Sequence, residues 1–258
     1  MVEVEVYRLL ADRAVGRRVA EVEAPDSWFL KGGTTPSQVV GAVEGATILA
    51  TSRVGKLLLV HLDGDRPVLG LRFGMTGRLV LDGEAPIAQL IYASDRDEPV
   101  WDRFALRFDD GARLRVSDPR RLGAVELDPD LSALGPDAWT ITLRQLRAAL
   151  AGSTAPLKGR LLDQSRVAGL GNLLVDEILW RVGLDPARPS RSLDPDELVR
   201  LHRQVRATVQ RSFDRGGSHT GDLMPERRRD GICPRDGAPL LRRTVGGRTT
   251  YSCPVHQR

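Results

Sequence analysis

The chain has 258 residues, of which 28% are charged and 41% hydrophobic, with a formal net charge of +4. That length exceeds one typical domain, and that balance belongs to globular proteins, which excludes fibrous and disordered classes. No apolar run is long enough to span a bilayer, the acidic start Met1-Val2-Glu3-Val4-Glu5 is unlike a secretion signal, and Cys233 with Cys253 cannot build a disulfide framework, so the expected location is cytoplasmic, with no membrane contact.

The cationic side chains are lopsided. The only lysines are Lys31, Lys56 and Lys158, and all other basic residues are arginines. Arginine favours bidentate phosphate contact and stacking, so a nucleic-acid partner is permitted. Solvated arginines explain the total charge equally well, and the positions of the lysines carry more information.

In chain order, Glu3–Ala14 places Val6, Leu9, Leu10 and Ala14 at helical spacing. From about residue 17 to 127 the pattern turns to period two and short apolar runs, separated by Asp63-Gly64-Asp65, Asp82-Gly83 and Asp109-Asp110-Gly111. This reads as an antiparallel β sandwich preceded by one helix, an α+β chain. Asp128-Pro129-Asp130 to Gly135-Pro136-Asp137 is a polar connection, and a domain boundary is placed there. Helices follow at about 143–150, 157–163, 172–182 and 195–213, the last announced by Asp194, Pro195 and Glu197 as a capping box.

Between the second and third of these helices runs Gln164-Ser165-Arg166-Val167-Ala168-Gly169-Leu170-Gly171-Asn172. A glycine turn feeding a helix N-terminus presents free N–H groups, a ready site for phosphate. Asn172 stands where an N-cap belongs, and Asp176 and Glu177 follow where acids suit the helix dipole. The chain ends in two knuckles, Cys233–Asp236 and Cys253–His256, around a hairpin with a Gly246-Gly247 turn. Thiolate, carboxylate and imidazole all bind zinc, so Cys233, Asp236, Cys253 and His256 form a candidate set for one structural zinc, although aspartate is an unusual structural ligand.

Four segments together resemble the formamidopyrimidine-DNA glycosylase/endonuclease VIII family. They are Arg72-Phe73-Gly74-Met75-Thr76-Gly77-Arg78-Leu79, then Ser117-Asp118-Pro119-Arg120-Arg121-Leu122-Gly123, then 161–172 continuing to Asp176-Glu177, and finally the C-terminal hairpin. The resemblance implies an N-terminal helix and β sandwich over 1–128, a helix-two-turn-helix domain over 136–226 and a zinc-ribbon-like hairpin over 227–258. It implies a monomeric, nucleoid-associated repair enzyme acting on double-stranded DNA with a damaged base or an abasic site. Asn172 and Arg248 would grip phosphate, Lys56 and Lys158 would neutralise the backbone, and Met75, Arg120 and Leu122 would fill the gap left by a flipped nucleotide. Ser218–Arg229 is short for a lesion-capping loop, which argues against a specific 8-oxoguanine preference.

The chain departs from the family in three places. Leu122 stands for a wedge phenylalanine, and Asp236 and His256 stand for two of four finger cysteines. The family opens Met-Pro-Glu-Leu-Pro-Glu-Val-Glu, and after Met removal the proline amine is its nucleophile and the next Glu its acid/base. Here Glu3-Val4-Glu5 aligns with the later Glu-Val-Glu, so Val2 and Glu3 are the candidates for those roles, with Lys56 beside them. The expectation is a weakened Schiff-base activity with damaged-DNA affinity retained; a non-catalytic binder of damaged DNA is the alternative.

Overall fold

The computed structural model describes residues 1–87, 90–92 and 96–258. They form two compact units, Glu3–Leu131 and Ser132–Arg258, the latter joined by Met1–Val2.

In the first unit, α1 (Val2–Asp12) buries Val4, Tyr7, Leu10 and Ala11, one stripe at helical spacing. Two four-stranded sheets follow. One orders β1 (Val19–Glu23), β6 (Asp102–Phe108), β7 (Arg113–Ser117) and β5 (Arg78–Leu81). The other orders β2 (Ile48–Val54), β3 (Leu57–Leu62), β4 (Leu69–Arg72) and β8 (Ala124–Leu127). Leu58, Val60, Leu69 and Leu71 from the second sheet and Leu79, Phe104, Leu106 and Val116 from the first belong to one buried cluster, the core of a sandwich.

The register places two loops side by side. Arg72 at the end of β4 pairs with Ala124 at the start of β8, and Arg78 at the start of β5 pairs with Ser117 at the end of β7. The connections 73–77 and 118–123 each cross from one sheet to the other between the same two neighbouring pairs of strands. The GMTG and DPRRLG segments are therefore forced together by topology alone.

One element departs from the period-two reading. Residues Pro36–Val43 form a helix, α2, where strand pattern was expected. The cause is local: Thr35 caps Gln38 N–H, the Gln38 side chain returns to Thr35, and Pro36 occupies the first turn.

The second unit holds α3 (Leu143–Leu150), α4 (Leu157–Leu162), α5 (Asn172–Val182), α6 (Pro195–Asp214) and the antiparallel hairpin β9 (Leu241–Val245) and β10 (Arg248–Ser252). Asp194 and Glu197 cap α6 reciprocally, as their spacing required. Leu146, Leu157, Leu161, Val175, Ile178, Leu179, Leu201 and Val205 form its core, and Met1 and Val2 are buried in that same cluster. The hairpin tip is seated on α4: a Cβ at Gly246 would lie 2.7 Å from Gly159 Cα, and Gly246 has φ +58. Only glycine fits both demands. Among the described residues no helix is long and apolar enough to cross a membrane.

Candidate nucleic-acid interface

The paired loops of the first unit are built around one buried carboxylate. Asp118 is fully buried. Its Oδ1 accepts from the Thr76 hydroxyl at 2.5 Å and from Arg120 N at 3.1 Å. Its Oδ2 accepts from Leu122 N and Gly123 N, both at 2.8 Å. One side chain thus ties the 73–77 loop to the 118–123 loop and satisfies the backbone of the second. Gly74, at φ +58, lets the loops touch, because a Cβ there would lie 2.7 Å from the Leu122 backbone. Tyr7 supports the assembly from below, donating to Gly77 O at 3.2 Å with its ring 4.6 Å from Phe73. Burial pushes the Tyr7 phenol well above its ordinary value, and the Glu3 charge adds to it.

The loops are tied to each other, yet three side chains on them stand in solvent. Met75 is 50% exposed, Leu122 is 44% exposed, and Arg120 is exposed. Arg121 instead turns away, at φ +56, to a bidentate pair with Asp26 at 2.7 and 2.5 Å. Lys56 sits on the β2–β3 turn, which Arg53 braces through Gly55 O at 2.9 Å while Glu5 holds Arg53 at 2.8 Å.

In the second unit the Gln164 side chain splints the turn before α5. It donates to Leu162 O and Leu170 O at 2.8 and 3.1 Å and accepts from Gly169 N at 3.0 Å. Gly171, not Asn172, is the N-cap. Asn172 is instead the first helical residue, freeing its amide to donate to Thr249 O at 3.1 Å, while its buried Oδ1 has no partner among the described residues. Arg248, one residue before Thr249, is exposed. The hairpin thus brings Asn172 and Arg248 to one place beside the open N–H groups of α5.

Lys158 departs from expectation. It is fully buried, and its ammonium donates to Thr249 O at 3.0 Å and Thr250 Oγ1 at 2.8 Å. It also forms an ion pair with Asp176 Oδ1 at 2.7 Å, off the hydrogen-bonding axis. Arg227 pairs with the other Asp176 oxygen and lies 5.0 Å from the Tyr251 ring centroid. Burial lowers the Lys158 pKa, with Asp176 opposing the shift. Lys158 therefore holds the hairpin on the helices and has no surface with which to meet a phosphate directly. Asp176 and Glu177 likewise do not serve the helix dipole. Both are buried, and Glu177 accepts from Arg181 at 2.6 Å and from the N–H groups of Asp222 and Leu223 at 3.1 and 2.9 Å.

At the base of the hairpin, ligand atoms of Cys233, Asp236, Cys253 and His256 all lie within 4.8 Å of one another. Asp236 Oδ2 is 3.5 Å from Cys233 Sγ and 3.0 Å from Cys253 Sγ, and His256 Nδ1 is 3.8 Å from Cys233 Sγ. The surroundings suit a cation. Trp180 Nε1–H donates to Cys233 Sγ at 3.3 Å, and His256 Nε2 meets Trp180 O at 2.9 Å, leaving Nδ1 for the centre. Without a cation, burial pushes the Cys253 thiol up to about 11.

Residues 1–125 match the formamidopyrimidine-DNA glycosylase N-terminal domain, and residues 133–223 match the H2TH domain of the same enzymes. The formamidopyrimidine-DNA glycosylase of Paracoccus denitrificans is 34% identical, covering 99% of this chain and 98% of its own. That of Heliobacterium modesticaldum is 33% identical with the same coverage. The chain belongs to the formamidopyrimidine-DNA glycosylase family. The Lactococcus lactis Fpg bound to DNA containing an abasic site superposes with a TM-score of 0.83 at 28% identity, covering 100% of this chain and 99% of that one. A complex of the same enzyme with FAPY-dG containing DNA gives the same score and identity.

Within this formamidopyrimidine-DNA glycosylase fold, Glu3, Lys56, Met75, Arg120 and Leu122 lie in the first unit, and Asn172, Arg248 and the four candidate ligands in the second. Val2 lies in the helical core and Met1 rests on Gly169. Sequence reasoning missed Asp118, Gln164, Tyr7 and Asp26. Asp118 and Gln164 stood inside quoted motifs, and a polar residue fixed between two glycine-bearing loops was the available signal.

Proposed function

We infer that this chain is a base-excision-repair DNA glycosylase with abasic-site lyase activity, acting on duplex DNA that carries a damaged base or an abasic site. The observation that carries the reading is the Asp118-centred pair of loops, which presents Met75, Arg120 and Leu122 to solvent on a rigid base. A side chain that fills the space of an extruded nucleotide must be exposed before DNA arrives and fixed in place, since unstacking costs a few kcal/mol. Arg120 supplies charge and Met75 and Leu122 apolar bulk. In the other unit, the α5 N-terminus, Asn172 and Arg248 would hold phosphate, with Lys56 doing so in the first.

For the chemical step, an amine attacks C1′ of the sugar and expels the damaged base, or the C1′ hydroxyl of an abasic site as water; the ring opens to the Schiff base, and loss of a C2′ proton then eliminates the 3′ phosphate. We assign the amine to Val2 after loss of Met1, and the proton transfers to Glu3. Exposing that amine requires withdrawing Met1 from Gly169. We assign 1–128 to lesion chemistry and 136–226 with 227–258 to DNA grip, in a monomer working in the cytoplasm on the nucleoid. The deciding experiment is borohydride trapping on a duplex with one abasic site, followed by peptide mapping. The cross-link is expected on the tryptic peptide of residues 2–8. A cross-link on Lys56 would move the nucleophile there. Binding with no cross-link at all would leave a damage-binding protein, not a lyase.

The donor set of the hairpin fits zinc, and Cys233, Asp236, Cys253 and His256 would hold it. Bound zinc would cross-link the two knuckles and take no part in the reaction. Metal analysis of protein purified without chelator should give about one zinc per chain. Asp236→Cys should tighten retention against a chelator, because thiolate is the softer ligand.

A further inference from the structure

The loop after β1 carries a flat cationic surface beside the DPRRLG segment. Trp28 is 64% exposed, and Lys31 Nζ lies 3.9 Å from its ring centroid. The loop is nevertheless firmly tethered. Asp26 accepts from Trp28 N at 3.1 Å and from both Arg121 nitrogens, so one carboxylate serves this loop and the neighbouring one. The Phe29 ring abuts Gly123, where a Cβ would lie 2.8 Å from Phe29 Cζ, and Lys31 N donates to Val125 O at 2.9 Å. The backbone of Trp28 and Lys31 is thus held alongside Arg121–Val125, with most of the tryptophan side chain exposed. Among the described residues no carboxylate lies within ion-pair range of Lys31.

We propose that Trp28 and Lys31 form a second DNA contact, in which an unstacked base of the strand lying against the 118–123 loop packs on the Trp28 ring and its phosphate meets Lys31. The proposal rests on the damaged-DNA reading above. Every base offers a π-face, and an aromatic ring held ready on a braced loop stacks without further ordering. The ammonium adds attraction for the backbone in the same place. Continuity with the exposed Arg120 and Leu122 selects DNA as the occupant over a protein partner.

The test is a fluorescence titration of the full chain with two probes, a duplex holding one tetrahydrofuran abasic analogue and the same duplex intact. Tryptophans 28, 101, 139 and 180 report together, and the abasic duplex should quench the emission. Trp28→Phe should remove most of the quenching while keeping affinity within about threefold, because phenylalanine still stacks. Trp28→Ala should weaken the abasic complex about tenfold and the intact one less. Lys31→Ala should flatten the salt slope by about one unit. Both side chains are at the surface, so the variants should melt with the parent. Undiminished quenching in Trp28→Phe, or unchanged affinity in Trp28→Ala, would overturn the proposal while parent cleavage of abasic DNA leaves the enzyme reading standing. A parent chain that neither binds the tetrahydrofuran duplex nor cleaves a duplex with a true abasic site would overturn both.

Discussion

Two aspartates, Asp118 and Asp176, are fully buried, one in each unit, and are satisfied in opposite ways. Asp118 takes a hydroxyl and three backbone N–H groups. Asp176 takes two cations, Lys158 and Arg227, and one backbone N–H from Tyr251. Neutral donors let a carboxylate shape a loop whose neighbours remain at the surface. Charged partners join distant segments, here α4, α5, the 224–230 stretch and β10, but they leave a buried cluster with one cation in excess. The first arrangement sets local geometry, and the second decides whether the hairpin docks at all. Under the DNA-binding function proposed above, the excess charge beneath Thr249 would favour phosphate at the α5 N-terminus without touching it.

The comparison breaks most visibly at Asp176. Asp176→Ala strands two buried cations and should cost about 3–5 kcal/mol by urea unfolding, whereas Lys158→Met should cost less, because Asp176 keeps Arg227. A cost below about 1 kcal/mol for Asp176→Ala would mean that the cluster is solvated and the contrast false. Asp118→Asn should cost only about 1–3 kcal/mol, yet weaken abasic-duplex binding much more than intact-duplex binding. Equal losses on both duplexes would reduce Asp118 to a general stabiliser.

Acid should act on the ion pairs of the surface. Arginine hydrogen bonds hold Glu23 below its ordinary 4.5 and Asp97 and Asp222 below 3.8, through Arg113, Arg115 and Arg215 respectively. A carboxylate lowered on folding stabilises above its unfolded pKa, and that stability is lost as pH falls through the folded one. Melting temperature should therefore be flat above about pH 5 and decline below about pH 4. A decline beginning near pH 7 would point to a histidine instead. The smallest expected change in stability is for Met75→Ala, within about 0.5 kcal/mol, because the side chain is half exposed. Its effect should fall on abasic-duplex affinity, leaving intact-duplex binding unchanged.

What could be read from the sequence was what local chemistry determines. The start of α6 followed from its capping box and the extents of α3 and α5 from apolar spacing, although the N-cap of α5 is Gly171 and not Asn172, and the motifs that carry Met75, Arg120 and Leu122 proved to be neighbouring loops with those side chains exposed. The α2 helix was missed although Thr35-Pro36-Ser37-Gln38 spells its start, because the flanking strands set the expected period. Lys158 could not be placed, since a lone lysine on a helix is ordinarily solvated. Its partners lie 18, 91 and 92 residues onward in the chain. The shared use of Asp26 by two loops was hidden for the same reason, with Arg121 lying 95 residues away.

The seat of the hairpin tip on α4 has a consequence for how such a chain can change over generations. A Cβ at Gly246 would stand 2.7 Å from the Gly159 backbone, but a Cβ at Gly159 would stand 3.4 Å from Gly246. The contact is therefore asymmetric toward substitution: descendants can accept alanine at Gly159 with a shift of tenths of an ångström, and not at Gly246, where the close backbone approach is joined by a left-handed φ that disfavours a side chain. Variation should enter this seam from the helix side first, and the hairpin glycine should be the last of the two to move.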